Sequence, residues 1–114
     1  MKTIPGIDTD EGLRHTGNHP VLYQRFLKHF PEDPSFTLLC HALDAGDTDA
    51  AFIYAHTLKG LTAQLGITAL YRPMLDLCDV LKSPTPDRIA AARRLYRLLI
   101  PVYEGIVRQI MALS

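Results

Sequence analysis

One stretch of the chain limits the fold class more firmly than any other. Leu70, Met74, Leu77 and Leu81 recur at the spacing of one face of an α-helix. The run 83–86, Ser-Pro-Thr-Pro, then ends any helix. Similar periodicities lie on both sides of this break, and no stretch alternates apolar and polar residues as a half-buried strand would. The sequence therefore predicts an all-α protein.

Capping residues and prolines mark where the other helices begin. Asp8 and Glu11 are spaced as a capping box before a short first helix. Later helix starts are predicted at Pro20, Asp33-Pro34, Asp47 or Thr48, Thr68, and Thr85-Pro86. The last four helices are long enough for an antiparallel, up-down-up-down four-helix bundle, with the short earlier helices covering one end. We expect residues 1–114 to form a single domain and residues 1–7 an arm or linker.

Apolar spacing also assigns inner faces to the two longest predicted helices. In the helix that ends near Leu65, the core-facing residues are predicted to be Ala51, Tyr54, Leu58, Leu61 and Leu65. In the last helix they are predicted to be Ile89, Ala92, Leu95, Leu99, Val102, Ile106 and Ile110. Gly66 is well placed to end the first of these two helices.

The helix that ends at Gly66 presents a histidine away from its apolar face. His56 points outward, and its neighbours on that surface are Phe52, Ile53, Lys59, Gly60 and Ala63. A glycine inside a helix costs roughly 1 kcal/mol relative to alanine. Space for another molecule beside the histidine is a physical reason for Gly60.

Composition narrows the partners and the compartment. The chain has 114 residues and a formal net charge of +0, so it can build one core and lacks the basic excess of a nucleic-acid-binding domain. No apolar run approaches the ~20 residues of a membrane span, and the polar N-terminus does not resemble a signal peptide. Cys40 and Cys78 lie in apolar helical patterns and are expected to be reduced thiols. These features favour a cytoplasmic monomer without membrane contact.

The residues around the histidine resemble those of a known family. The run 56–60, His-Thr-Leu-Lys-Gly, followed by Gln-Leu-Gly at 64–66, is similar to the phosphorylation motif of histidine-containing phosphotransfer (HPt) domains. The resemblance also covers Pro5-Gly6-Ile7-Asp8, Gly12-Leu13, Gly17-Asn18, Tyr23, Leu27, Phe30, Leu39, Ala42-Leu43 and Gly46-Asp47. In that family the histidine accepts a phosphoryl group from an aspartate of one receiver domain and passes it to another. The resemblance implies a phosphocarrier whose partners are receiver domains and a hybrid sensor histidine kinase.

The resemblance and the chemistry of phosphoryl transfer together suggest roles for the site residues. His56 would be the phosphoryl acceptor and donor, and Lys59 would stabilise charge on the phosphoryl oxygens, unless it is an ordinary solvated lysine. Gly60 would keep the approach open. Gln64 would supply a supporting hydrogen bond or be a plain surface residue.

Apolar residues beside the histidine suggest a contact surface for the partner. Phe52, Ile53 and Ala63 would form a hydrophobic docking patch, although Phe52 and Ile53 could instead lean into the edge of the bundle.

One position departs from the family pattern. Many HPt domains place Glu or Gln twenty-two residues after the histidine, where it can hold the second imidazole nitrogen, and here that position is Cys78. A thiol is a poor acceptor, so the contact that fixes the tautomer is in doubt.

Other chemistry is not indicated by the sequence. No phosphate-binding loop or ATP-binding signature is present, so we expect neither autokinase activity nor a cofactor. His15 and His19 are not expected to align as metal ligands, because Gly17 and Pro20 interrupt the helix between them. Two alternatives to the phosphocarrier remain: a non-transferring helical module that docks receiver or kinase domains, and a helical subunit that dimerises through its apolar edge. A free-standing protein and a domain cut from a larger kinase both fit the sequence.

Overall fold

Helices account for the regular structure in the computed structural model, which describes residues 4–113. Within that range the helices are α1 (Thr9–His15), α2 (Pro20–His29), a 3-10 turn (Phe30–Glu32), α3 (Ser35–Asp44), α4 (Thr48–Leu65), α5 (Thr68–Lys82) and α6 (Pro86–Met111). Residues 4–113 contain no strand, only an isolated bridge between Ile4 and Ile7. The prediction of an all-α fold is confirmed.

The last four helices form the bundle. Each of α3 to α6 packs against the next, and α3 also contacts α6, so that the four helices close a ring. The links at 45–47, 66–67 and 83–85 are short, which makes consecutive helices antiparallel. Helix α1 packs on α4 and α2, and α2 reaches both α4 and α6. None of the helices described in the structure is long and apolar enough to cross a membrane.

Local capping explains most of the helix starts. The side chains of Asp8, Asp47 and Thr85 accept hydrogen bonds from backbone N–H groups three residues later, at 3.0, 3.1 and 3.2 Å. Helix α3 begins one residue later than predicted, because Asp33 accepts from Ser35 N at 2.8 Å.

Thr68 was expected to cap α5, and that prediction is wrong. It is the first residue of the helix, and its hydroxyl donates to the Gly6 carbonyl oxygen at 3.2 Å.

The segment before α1 packs into the domain, contrary to the arm or linker expected for residues 1–7. Ile4 and Ile7 are only 5% and 6% exposed. The Gly6 carbonyl accepts from Ala69 N at 3.1 Å, and the Pro5 carbonyl accepts from Gln109 Nε2 at 3.3 Å. Residues 1–3 of the predicted arm lie outside the described residues. The segment is held because its apolar side chains and carbonyls meet α5 and α6, which are distant in sequence.

The buried arc of α4 differs from the predicted one. Ala51, Leu58 and Leu65 are buried as expected, whereas Tyr54 and Leu61 are only half-buried. The centre of the arc is taken by Ala55 and Thr62. The Thr62 hydroxyl donates to the Leu58 carbonyl at 2.8 Å, so its burial leaves no unpaired polar group. Helix α4 contacts α3 and α5, and the residues at the edges of its buried arc stay partly exposed.

The inner face of α6 also differs from the predicted one. Ile89 and Leu95 are only half-buried, and Val102 departs furthest. Val102 is 39% exposed, and the neighbouring Tyr103 packs inward. The rings of Tyr103 and Phe36 stack with centroids 3.9 Å apart and planes 8° apart. Tyr96 stacks on the same Phe36 at 4.6 Å, and its hydroxyl donates to the Phe36 carbonyl at 2.8 Å. These aromatic contacts between α3 and α6 set the rotation of α6 and turn Val102 outward.

The C-terminal end of α4 is held by side chains and backbone from the start of the chain. The hydroxyl of the buried Tyr23 donates to the Leu65 carbonyl at 2.7 Å, and Asp8 N donates to the Gly66 carbonyl at 2.7 Å. His15 places its Nδ1 2.9 Å from the Ala63 carbonyl. These donors pair with carbonyls that a helix end otherwise leaves unsatisfied.

The buried tyrosines predict that the protein loses stability at alkaline pH. Burial raises the pKa of Tyr23 to about 12, with the charge of Asp8 acting in the same direction, and burial also raises the pKa values of Tyr96 and Tyr103. A tyrosine in the unfolded chain titrates at about 10. The stabilisation is therefore complete below about pH 10 and is lost as the pH rises toward the folded-state pKa.

Urea unfolding at a series of pH values checks the predicted loss of stability at alkaline pH. The free energy of unfolding should be level up to about pH 9 and fall above about pH 10. Tyr23→Phe should lose about 1 kcal/mol at neutral pH, because the Leu65 carbonyl loses its donor, and should show a shallower alkaline decline. A free energy that stays level through about pH 11 would contradict the prediction.

Candidate functional site

The outer surface of α4 carries the candidate site. His56 lies near the middle of the helix and its side chain is exposed, on the opposite side from the buried Ala51, Leu58 and Leu65. No other residue of the described chain hydrogen-bonds to its imidazole. The ring nitrogens of His56 are therefore accessible to a second molecule.

The residues one turn after His56 leave room and bring a positive charge. Gly60 is exposed, and a Cβ built on it would meet no heavy atom within 4 Å outside its own helix backbone. Lys59 is half-buried and forms no ion pair with another described residue. Its positive charge acts to lower the pKa of Cys78, against the larger, raising effect of burial.

Apolar side chains flank His56 on the N-terminal side. Phe52, one turn earlier, is half-buried, and its ring centroid lies 5.9 Å from that of His56 with the planes 40° apart. Ile53 is 60% exposed. On the C-terminal side, Ala63 is half-buried and Gln64 is exposed.

Cys78 supplies no good acceptor for the His56 imidazole. Its side chain is buried, at 2% exposure, and both cysteines of the chain are free thiols. Burial raises the pKa of the Cys78 thiol and so keeps it neutral. The second nitrogen of the His56 imidazole is left to water or to a partner molecule.

Two shallow clefts extend the surface on either side of the histidine. The α2–α4 cleft, of about 300 Å³, is lined by Phe26, His29, Phe30, Asp33, Leu61, Gln64 and Leu65. The α4–α5 cleft, of about 340 Å³, is lined by Asp49, Phe52, Ile53, Leu81, Lys82 and Pro84. From the sequence, Leu81 was predicted only as part of an apolar stripe, and Phe26 was assigned no role beside His56. Nothing local in the sequence shows which helix faces α4 across a cleft.

The remaining histidines of the N-terminal region have structural partners. His15 contacts the Ala63 carbonyl and the Glu11 carboxylate, at 2.9 and 3.3 Å. His19 accepts from Leu22 N at 3.3 Å as the N-cap of α2. Across residues 4–113 no three His, Cys, Asp or Glu side chains are grouped so that they could hold a metal ion.

The fold and the site together define a class of protein. It is a four-helix bundle that exposes a histidine at mid-helix, with a lysine three residues later and a glycine four residues later. The family model for the Hpt domain matches residues 21–102, which is well over half of the chain, and includes His56 and helices α3 to α5 in full. The chain belongs to the Hpt domain family. Members of this family generally act in phosphorelays, as phosphocarriers rather than enzymes. No curated protein and no solved structure matches the chain.

The two glycines at 60 and 66 should respond in opposite ways to alanine. Gly60→Ala should raise the free energy of unfolding by up to about 1 kcal/mol, because its Cβ has free space and alanine is the better helix former. Gly66→Ala should destabilise, because Gly66 has φ +72° and its Cβ would collide with the Asp8 carbonyl oxygen. Chemical denaturation of the two variants tests this, and a destabilised Gly60→Ala would show that the surface at Gly60 is not open.

Proposed function

We propose that this chain is a phosphocarrier in which His56 accepts a phosphoryl group from a receiver-domain aspartate and passes it to another receiver. The observation that carries the proposal is the exposed His56 imidazole, unpaired within the described chain, beside the open surface at Gly60. Membership of the Hpt domain family supports the same role.

The transfer needs only a correctly presented imidazole and a stabilised phosphoryl group. A neutral imidazole nitrogen of His56 forms a bond to phosphorus, the phosphorus–oxygen bond of the aspartyl phosphate breaks, and the carboxylate leaves with the bonding electrons. The proton on the other ring nitrogen can pass to solvent, because the imidazole is exposed. Passing the group on to a second aspartate reverses these steps.

Lys59 suits the stabilising role. It lies one turn from His56 and has no competing carboxylate partner in the described part of the chain. A cation held near the path of the phosphoryl group stabilises negative charge on the phosphoryl oxygens during transfer. The exposed Gln64 amide could donate a further hydrogen bond at the C-terminal edge of the site.

The docking surface for a receiver domain would be centred on the apolar residues around His56. Ile53 offers the largest exposed aliphatic area, and Phe52 and Ala63 extend it along α4. The α2–α4 and α4–α5 clefts border this surface and give an approaching helix places to insert side chains. A modest, partly polar patch of this kind fits a transient partner, as a relay requires.

We infer the wider setting from the same proposal. The chain would act as a single domain and a monomer in the cytoplasm, receiving phosphoryl groups from the receiver domain of a hybrid sensor histidine kinase. It would use no cofactor, metal ion or nucleic acid of its own.

One observation favours a second function. The imidazole lacks an acceptor on α5, since Cys78 is a buried thiol. A domain that has lost transfer could keep the α4 surface as a docking site for receiver or kinase domains.

Replacing the histidine separates the two functions. His56→Gln should abolish labelling by a phosphorylated receiver domain and leave the helical circular dichroism spectrum unchanged, because the side chain lies outside the core. The matched control is His41→Gln, an exposed histidine on α3, which should label normally. Labelling of His56→Gln would refute the phosphocarrier proposal. Wild-type protein that binds receivers without becoming labelled would establish the docking module instead.

The residues after the histidine should differ in their effects on transfer. Lys59→Ala should slow transfer on the order of tenfold, or ~1.4 kcal/mol of barrier. Gly60→Leu should slow it further, because leucine adds bulk beside the imidazole at a position that is now open.

Rapid-quench measurement of transfer from a phosphorylated receiver checks both effects. Lys28→Ala, an exposed lysine on α2, is the control for lost charge. If Gly60→Leu transfers normally, His56 can still be the phosphoryl acceptor, but the open surface at Gly60 is not needed for the partner to approach.

A further inference from the structure

The His56 imidazole lacks a hydrogen-bonding partner in the described chain, yet it rests against another side chain. The rings of Phe52 and His56 lie with centroids 5.9 Å apart and planes at 40°. We propose that Phe52 is a positioning residue whose ring holds the His56 imidazole in the orientation for phosphoryl transfer, in place of a hydrogen-bonding side chain on α5. This inference rests on the proposed phosphocarrier function.

Helix geometry brings the two rings together. Side chains of an α-helix lean toward its N-terminus and lie over the residue one turn earlier, so the imidazole of His56 leans over Phe52. Aromatic rings attract one another at centroid separations of about 4.5–7 Å, preferentially in tilted or offset arrangements. The observed separation and tilt fall within that range. The contact therefore favours one imidazole orientation over the others that an exposed side chain would sample.

Phe52 can act as a support because its own position is restricted. Its ring is half-buried and packs against the hydrophobic core. It also forms one wall of the α4–α5 cleft with Leu81 and Pro84. The adjacent Ile53 is much more exposed and suits contact with a partner domain. The two apolar residues beside His56 thus differ in exposure, and the more buried Phe52 can support the imidazole as well as border the docking surface.

The arrangement also gives the imidazole a closed side and an open side. Phe52 lies on its N-terminal side, and the empty surface of Gly60 lies on its C-terminal side. A phosphoryl donor would approach from the open side, where Lys59 is also placed. Fixing the imidazole with respect to that approach raises the fraction of encounters in a reactive geometry.

A small phosphoryl donor separates positioning from docking. Phosphoramidate can phosphorylate a histidine without a partner protein: the imidazole nitrogen bonds to phosphorus, the phosphorus–nitrogen bond of the reagent breaks, and ammonia leaves with the bonding electrons. The other ring proton passes to solvent. Loss of the unmodified imidazole NMR signal of His56 gives the rate, and the signal of the exposed His41 serves as an internal reference.

The substitutions should then give a distinct pattern of rates. Phe52→Leu should slow phosphorylation of His56 by phosphoramidate about two- to tenfold, the range expected for losing an aromatic pair, and should leave His41 unchanged. Phe52→Tyr keeps the ring and should restore the wild-type rate. Tyr71→Leu, the same kind of change at an exposed aromatic on α5, should have no effect on His56.

The outcomes distinguish this inference from the function on which it rests. A Phe52→Leu variant that reacts normally with phosphoramidate, but needs more receiver for half-maximal transfer, would restrict Phe52 to the docking surface and overturn the inference. Absence of nuclear Overhauser effects between the Phe52 and His56 rings in the wild-type protein would overturn it as well, whatever the folding of the variants. If a phosphorylated receiver domain does not label His56 of the wild-type protein, the phosphocarrier proposal itself is refuted.

Discussion

Hydrogen bonds at the end of α4, around Gly66, join the helix that carries the site to the N-terminal part of the chain. The left-handed backbone of Gly66 ends the helix, and the carbonyls of Leu65 and Gly66 accept hydrogen bonds from Tyr23 and Asp8. These contacts fasten α1, α2 and the residues before them to the helix that carries His56. Leaving these carbonyls buried and unpaired would destabilise the domain, so the N-terminal part of the chain stabilises the end of α4.

The two sides of α4 have different functions: one packs in the core and the other carries the site. Its inner arc is built from Ala51, Ala55, Leu58, Thr62 and Leu65, which pack between α3 and α5. Its outer side keeps an imidazole, a lysine and a glycine at the surface, with an exposed Ile53 beside them. A rigid helix is a suitable carrier for a reacting group because its backbone does not need to be ordered when the partner arrives. The same rigidity makes the side-chain orientation of His56 the remaining degree of freedom.

The site has no good hydrogen-bond acceptor for His56 at Cys78 of α5. A neutral, buried thiol is a poor acceptor for a hydrogen bond from the second imidazole nitrogen, unlike a carboxylate or amide oxygen. The nearest ring contact comes from Phe52, on the same helix. An aromatic contact orients a ring without fixing its tautomer, which leaves both nitrogens free to exchange protons with water.

The sequence by itself determined the features that depend on a few neighbouring residues. The caps at Asp8 and Thr85, the stop at Gly66 and the outward direction of His56 follow from spacings within one helix turn or one helix period. For α4 the sequence left Asp47 and Thr48 as alternatives, and the structure places the cap at Asp47. Only the tertiary structure decided where the buried faces of α4 and α6 end and what lies beside the site. Tyr103 displaced Val102 from the core because Phe36 of α3 stacks on it, and residues 4–7 are packed because Ala69 and Gln109 bind their carbonyls. The Phe26 and Leu81 walls of the clefts likewise come from other helices, since contacts between residues far apart in sequence leave no local pattern.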